Sequence, residues 1–457
     1  MTEVKKPLHN CTLAMIVKNE SHIIKECLES VYKYIDYYCI CDTGSTDDTK
    51  KIIKEFFDEK GIEGEIHDDA WEDFGTNRTK ALERMWGKTQ WALMIDADDY
   101  ISGTFPIDKL DPNVDGYMVV LRRGALRWKR AQFFNLMRKR WHYRDVRHEY
   151  AFADKDIDGN DLQPGTLNVP VIEGDFMWIA RTEGNRTISC TQAEKYKKDY
   201  DVLKKELEKD PNHTRYQFYA AQSAFDMGDF ELAEKEYTRF TEIGKWDEEL
   251  YFAWIRIGVS RALQNKPKAE VIEAFLRAFN TRPSRAEALF MLSECCRSMN
   301  LPAAGFIFAG YATTLQYPVN DLLFIDEQIY QWGILSEISQ TAYYVQKPHI
   351  GYNATQRLVE NDLGPTEPEE FAKGLKEQFK KNLDLYGQIL AQQQAMILSQ
   401  QTGVPLPTDG KMSLKEYIEK VKNKPKLVVP KSTLEPAKQI ILPEEEKKQK
   451  VFKKRRR

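Results

Sequence analysis

Short apolar runs alternate with segments of helical spacing along the first hundred residues. Leu13–Val17, Tyr38–Cys41, Glu65–His67 and Trp91–Ile95 read as strands, and Ser21–Tyr34, Asp47–Phe57 and Arg78–Trp86 between them read as helices. Strand, helix, strand, helix predicts a parallel sheet with crossover helices. Ligands of such sheets sit beyond the carboxyl ends of the strands. The polar clusters fall there: Lys18-Asn19-Glu20 after the first strand, Asp42-Thr43-Gly44-Ser45-Thr46-Asp47-Asp48 after the second, Asp68-Asp69 after the third, and Asp96-Ala97-Asp98-Asp99 after the fourth. Tyr117–Arg123, Phe133–Lys139 and Arg147–Phe152 read as further β segments, which makes the second half of this domain mixed rather than parallel.

Beyond Ser189 the pattern is wholly helical. Within 214–244, Ala221, Gly228, Ala233 and Tyr237 have the spacing of a tetratricopeptide-type helix hairpin. Ala278 and Pro283 close a second unit, and Pro318 follows Pro283 by 35 residues, which predicts two or three degenerate repeats. A last helical stretch over 369–400 is expected to end in a glutamine-rich turn, and after Lys420 proline and like-charge runs predict a flexible tail. The expected division is an α/β domain at 1–188, repeats at 189–345, a helical segment at 346–420 and a basic tail at 421–457.

Composition narrows the partners. With 67 basic and 70 acidic side chains the chain of 457 residues carries a net charge of −3, so no whole-molecule field draws nucleic acid, and none is expected as a partner. The closing Lys447–Arg457 run reads as a solvated tail. Cys11, Cys27, Cys39, Cys41, Cys190, Cys295 and Cys296 form an odd set without C-x-x-C spacing, as reduced thiols of a cytoplasmic protein do. Met1–His9 is polar, and nowhere do about 18 apolar residues run together, so neither a signal peptide nor a transmembrane segment is expected.

The strand ends carry the chemistry. Residues i and i+2 of an extended strand end point the same way, so Asp96 and Asp98 can face one hard divalent cation, Mn2+ or Mg2+, that a diphosphate also ligates. A bound cation stabilises the charge that grows on a departing nucleoside diphosphate. An isolated D-x-D is more often an acidic cap; its place after an apolar strand, beside other acidic strand ends, changes the balance. Asp42 ends a buried strand and can accept hydrogen bonds from a ribose or a base, whereas Ser45–Asp48 cap the next helix. Arg78, near a helix start, can clamp a diphosphate oxygen. Trp141–Tyr150 concentrates aromatic and titratable side chains, which suits a sugar-binding wall with a general base. Glu149 is the first choice for that base and Asp145 the second, with His148 serving there or completing the metal shell.

These segments resemble the family-2 glycosyltransferases of GT-A fold, an inverting group that uses nucleotide sugars. The match runs from Thr12 to about Thr187, through Ala14-Met15-Ile16-Val17-Lys18-Asn19-Glu20, Asp42–Thr49, Phe74 with Asn77–Leu82, Asp96–Asp99 and His148-Glu149. The resemblance implies an α/β nucleotide-sugar-binding domain with a mixed, mainly parallel sheet, in which Asp42 and Asp69 hold the nucleoside, Asp98 the metal and diphosphate, and Arg78 the pyrophosphate side. Val17, Asn19, Glu20, Asp96 and Ala97 complete the expected donor site. The helical half is similar to a subgroup in bacteria and large DNA viruses that joins this domain to tetratricopeptide-like repeats, through Arg181–Arg186, Lys195-Tyr196, Asp210-Pro211, Arg215-Tyr216, Tyr219–Ser223 and Arg282–Glu287.

The expected activity is therefore metal-dependent, inverting transfer of a sugar from a nucleoside diphosphate donor, uridine being the family majority, to a hydroxyl of a glycan or protein. The repeats are expected to position the acceptor or to form a homodimer. Two other readings compete. An inactive nucleotide-sugar-binding scaffold would tolerate loss of Asp42, Asp96 and Asp98, all of which are present. A sugar nucleotidyltransferase needs a glycine-rich phosphate loop after the first strand, and Lys18-Asn19-Glu20 is a poor one.

Overall fold

The computed structural model describes residues 6–361, 369–407 and 412–422, so the expected basic tail lies outside the described residues from position 423 onward. The α/β part runs β1 (His9–Val17), α1 (Ile24–Val31), β2 (Tyr37–Asp42), α2 (Thr49–Lys60), β3 (Glu63–Asp68), α3 (Phe74–Glu83), β4 (Thr89–Met94), β5 (Tyr100–Gly103), β6 (Gly116–Arg123), β7 (Leu126–Asn135), β8 (His142–Arg144), β9 (Tyr150–Phe152) and β10 (Phe176–Ile179). The main sheet has the order β3-β2-β1-β4-β7-β6-β10-β5. Its first four strands are parallel, and β7 runs antiparallel to both β4 and β6. Val17 lies opposite Asp42, and Asp42 opposite Asp68, so the strand ends line up on one rim.

Burial explains the alternation. In β1, Leu13 and Met15 pack with Ile24, Cys27, Leu28 and Val31 of α1 on one face of the sheet. Ala14 faces the opposite layer with Cys39, Met94 and Leu82. Both faces are covered, which is why the parallel strands read as continuous apolar runs. Each fully buried Leu or Met contributes about 1.5–3 kcal/mol.

Three boundaries differ from the sequence expectation. The third helix starts at Phe74, a turn before Arg78, because the Asp73 side chain accepts from Thr76 N at 2.8 Å and caps it there. β7 covers 126–135 rather than 133–139, and Asn135 ends it by accepting from Met137 N at 3.2 Å while donating to Pro112 and Val114 carbonyls at 2.9 Å. Within 147–152 only Tyr150–Phe152 is extended, since Asp145 and His148 both adopt positive φ (76° and 52°).

The helical part comprises α4 (Asn185–Ile188), α5 (Gln192–Lys209), α6 (Thr214–Asp226), α7 (Phe230–Ile243), α8 (Asp247–Leu263), α9 (Lys268–Thr281), α10 (Glu287–Ser298), α11 (Pro302–Ala312), α12 (Ile334–Thr341), α13 (Pro348–Glu360), α14 (Glu369–Thr402) and α15 (Leu414–Lys422). The pairs α6–α7, α8–α9 and α10–α11 are the repeat hairpins, with Ala221, Ala233, Ala253, Ala274 and Ala278 wholly buried where helices close on one another. Pro318 does not close a further hairpin. Residues 313–328 instead form a strap whose short strand β11 (Ile325–Asp326) pairs antiparallel with the start of β7. Nor do the glutamines form a turn: Gln392–Gln394 and Gln400-Gln401 lie within α14. Two compact units divide the chain, Met1–Tyr386 and Gly387–Arg457; in the second, Tyr417 and Val421 of α15 pack with Ala395. Among the described residues no helix is long and apolar enough to cross a membrane.

One charge in the repeats makes a stability prediction. Burial, and then the Glu337 carboxylate, push the Glu294 carboxyl of α10 up from 4.5 to about 7. Between those two values the folded protein holds a proton that the unfolded chain releases, so stability falls as pH rises through that window. Glu294→Gln is expected to raise the thermal midpoint at pH 8 by roughly 2–4 °C per kcal/mol recovered, and to leave it unchanged at pH 4. Equal shifts at both pH values would contradict this.

Candidate active site

The rim begins with Asp42, whose side chain is wholly buried at the end of β2. Its Oδ1 accepts from Gly44 N at 2.9 Å and Ser45 N at 2.7 Å, while Oδ2 is buried without a hydrogen-bond partner. Leaving a buried acceptor unmatched costs about 1–3 kcal/mol, which marks Oδ2 as the place for a ligand donor. Asn19, at φ 56°, braces two loops: its Oδ1 accepts from Thr46 N at 2.7 Å and its N donates to Ser45 Oγ at 2.9 Å. Asp69 N donates to the Asp42 carbonyl at 2.8 Å. Its carboxylate is gripped on both oxygens by Arg84, at 2.6 and 2.9 Å, which together with Cys41 holds it below the usual carboxylate range against the upward push of burial. Asp69 thus reaches the rim through its backbone, and its side chain serves Arg84. Val17 and Ala97 are buried in the core, and the Val17 carbonyl is already taken by Thr43 N at 2.9 Å, so neither offers the ligand a side-chain contact.

After β4 the chain turns through the acidic run. Asp96 lies between two arginines: Arg78 Nη2 contacts Oδ1, and Arg130 Nη2 sits 3.3 Å from Oδ2. Arg78 also donates from Nε to Glu149 Oε1 at 2.9 Å, and its guanidinium stands 5.7 Å from the centre of the Tyr143 ring. The two guanidinium groups hold the Asp96 carboxyl well below its ordinary range in spite of burial. Asp98 points elsewhere. Its Oδ2 accepts from Glu183 N at 3.2 Å and Gly184 N at 3.1 Å, and its carbonyl accepts from Arg181 Nε at 2.7 Å. Burial and the Asp96 charge raise the Asp98 carboxyl. Glu20, which accepts from Asn185 N at 3.0 Å, is pushed up to about 7 by burial and by Asp98 against that amide. Asp99 accepts from Trp178 Nε1 at 3.2 Å and Arg181 N at 3.1 Å and fixes the turn from behind.

The 141–150 segment splits by role. Glu149 meets Arg78 and, through it, Asp96. Asp145 turns away to the repeats, 3.6 Å from His213 Nε2 and 3.5 Å from Arg215 Nε, with its carbonyl pressed against Gly75, where a Cβ would lie 2.5 Å away. The His148 ring stacks on Tyr219 of α6 at 3.8 Å and 4°, and its carbonyl accepts twice from Arg215, at 2.9 and 2.8 Å. Burial and the charges of Arg215, Arg186, Arg147 and Lys195 press His148 down to about 3. Neutral imidazole is the form that ligates metals, so this lowering does not bear against that role. The geometry shows the ring stacked on Tyr219, and among the described residues it is not grouped with Asp96 and Asp98 in a three-ligand cluster.

Sequence reasoning missed Arg130, Arg84, Arg181 and Trp178 as parts of the site. Arg130 lies in a charged stretch that masked the first half of β7, and a strand alternation starting at Leu126 was the signal for it.

Among the described residues no cluster of three His, Cys, Asp or Glu side chains is arranged to hold a metal ion. Asp96 fits that role poorly, because arginines occupy both its oxygens. Asp98 fits it: a carboxyl raised by a neighbouring acid gains from a cation, and Mg2+ is commonly held by one or two carboxylates with phosphate oxygens and water completing the shell.

A parallel four-strand rim with an orphaned buried acceptor on β2 and an acidic turn after β4 is where an α/β domain of this topology takes a ligand. Residues 12–110 of the chain match the family model "Glycosyl transferase family 2". Over 92 residues, 20% of each chain, it is 39% identical to the SPbeta prophage-derived glycosyltransferase SunS of Bacillus subtilis. Over 88 residues it is 35% identical to a TPR repeat-containing protein of Synechococcus elongatus, covering 19% of this chain and 20% of that one. The chain thus spans about a fifth of the length of the curated relatives it matches. Among solved structures it is similar to MamA, with 16% identity, TM-score 0.29 and coverage of 39% of this chain and 96% of that one. It is also similar to S. aureus TarS 1-349 in complex with UDP-GlcNAc, with 13% identity, TM-score 0.28 and coverage of 67% and 93%. At these scores the likenesses add nothing to the fold argument.

Proposed function

We propose that the protein transfers a sugar, with inversion, from a nucleoside diphosphate donor, UDP-linked as in the family majority, to a hydroxyl of a glycan or protein. The observation that carries this is the Glu149–Arg78–Asp96 chain standing beside Asp98 on the strand-end rim. In this reading Asp42 Oδ2 receives a donor hydrogen from the nucleoside, and Asp98 holds Mn2+ or Mg2+. That cation, when bound, neutralises charge growing on the diphosphate. Arg78 fixes Glu149 Oε1, which leaves Oε2 to take the proton of the acceptor hydroxyl. The acceptor oxygen then bonds to the anomeric carbon on the face opposite the bond to the diphosphate oxygen, and that electron pair departs with the nucleoside diphosphate. Catalysis belongs to 1–188 in this proposal. The repeats of 189–345 set the acceptor wall through Arg215 and Tyr219, and a homodimer through their helices is part of the same proposal. All seven cysteines are unpaired, which supports a reducing, cytoplasmic setting.

The test is a panel of nucleoside diphosphate sugars with Mn2+, Mg2+ or chelator, read by thermal shift and by release of free nucleoside diphosphate. Stabilisation and slow hydrolysis of one donor, both dependent on metal, are expected. Donor binding without turnover under any metal would favour the inactive scaffold, and no response to any donor would defeat both readings.

A further inference from the structure

The segment that follows β10 does more than connect the two halves. Arg181 and the amides of Glu183, Gly184 and Asn185 hold Asp98, Asp99 and Glu20, and the next side chains form a basic wall. Arg186 of α4 and Arg147 both reach Asp199 Oδ1, the second at 3.2 Å, on a carboxylate only 2% exposed. Both guanidinium groups lie over the Phe74 ring, at 4.8 Å for Arg147 and 5.4 Å for Arg186. Lys195 of α5 donates from Nζ to Thr187 Oγ1 at 2.9 Å. Arg147 Nη1 is buried without a hydrogen-bond partner.

Two guanidinium groups thus share one buried carboxylate, with the Lys195 ammonium on Thr187 nearby, beside an imidazole held neutral. Burial and the Arg186 charge push both Arg147 and Lys195 down, and Lys195 also feels Arg123 and Asp98. Positive charge in excess of the carboxylate that balances it, with Arg147 largely covered and Arg186 reaching solvent, is favourable for a bound anion. Phosphate oxygens suit both guanidinium and ammonium donors.

We propose that Arg186 and Lys195, backed by Arg147, bind the diphosphate of the donor and of the departing nucleoside diphosphate, so that the helical half supplies part of the donor site. This rests on the transferase reading and names a ligand contact beyond residues 12–110, where the family match ends. The polyanion is held on one side by the rim around Asp98 and on the other by these three cations.

The test is calorimetric titration of UDP, GDP and dTDP, each beside its monophosphate, and of inorganic pyrophosphate, into wild type, Arg186→Gln, Lys195→Gln, Lys195→Arg and the surface control Lys197→Gln. Wild type is expected to prefer a diphosphate to its monophosphate. Each Gln variant is expected to lose about 10- to 100-fold in diphosphate and pyrophosphate affinity with monophosphate binding little changed, Lys195→Arg to recover most of it, and the control to behave as wild type. Lys195→Gln gives up a single hydrogen bond, so its thermal midpoint should match wild type even if loss of the Arg186 contact with Asp199 loosens α5. Gln variants that keep the full preference for diphosphate would overturn this inference and leave the transferase reading intact. A wild type that binds neither nucleotide nor pyrophosphate would overturn both.

Discussion

Asp98→Ala is expected to lower donor turnover by about 10²- to 10³-fold without lowering the thermal midpoint, the size of effect seen when one electrostatic stabiliser of a transition state is removed. The two halves of that expectation have separate causes. Turnover falls because Asp98, in the acidic turn after β4, has no side-chain cation paired with it in the way Asp96 has Arg78 and Arg130. Stability holds because burial and Asp96 raise the Asp98 carboxyl, so its ionised form strains the fold and its removal relieves that strain. Asp98→Asn refines the result. It keeps an acceptor for the Glu183 and Gly184 amides, so if it is as inactive as the alanine variant, charge rather than loop anchoring is what turnover needs. Activity within tenfold of wild type in Asp98→Ala would remove Asp98 from the mechanism.

The largest stability effect is expected at Arg285, 1% exposed between α9 and α10. Its guanidinium pairs with Glu287 and donates to the carbonyls of Leu323 at 3.0 Å and Phe324 at 2.9 Å. Arg285→Leu leaves two carbonyls unmatched and takes the cation from the buried Glu287 carboxylate, to which only the Tyr251 and Tyr330 hydroxyls then donate, a loss of about 3–5 kcal/mol that a urea unfolding curve will show. It also reaches the active site. The two carbonyls belong to the strap, β11 of the strap pairs with β7, and β7 carries Arg130 to Asp96. Turnover in the variant should therefore fall even at temperatures where the chain is folded. Unchanged turnover would show that the strap and the site are independent.

How much of this was legible in the sequence follows from the range of the forces involved. The parallel half was readable because its strands are buried on both faces and its helices carry i, i+3, i+4 stripes such as Ile24, Cys27 and Leu28. The acidic strand ends then followed from topology. β7 was half-hidden, because Arg127, Lys129 and Arg130 look like loop composition until the strap meets the first two and Asp96 the third. The positive φ of Asp145 and His148 has only a weak sequence signal, since Asp and His adopt it more often than most residues but still rarely. It separates Glu149, which joins Arg78, from Asp145 and His148, which join the repeats. The pairing of Arg78 with Glu149 links positions 71 apart, and Arg130 reaches Asp96 across 34, so periodicity carries neither. In the helical half the alanine spacing marked the hairpins, whereas the strap has no period and is ordered by Arg285 and by Glu248, which accepts from Leu322 N and Leu323 N at 2.8 Å.

The strap also sets a schedule for synthesis. Arg127 at the start of β7 closes on Glu327, 200 positions later in the chain. At ribosomal speeds of about 5–20 residues per second, that gap leaves the first half of β7 with β6 as its neighbour for roughly 10–40 s after it emerges. For that interval a nascent chain exposes an unpaired backbone edge, and Arg130 rests on a strand not yet pinned. The molecule becomes competent late, when its own distant segment arrives to finish the sheet.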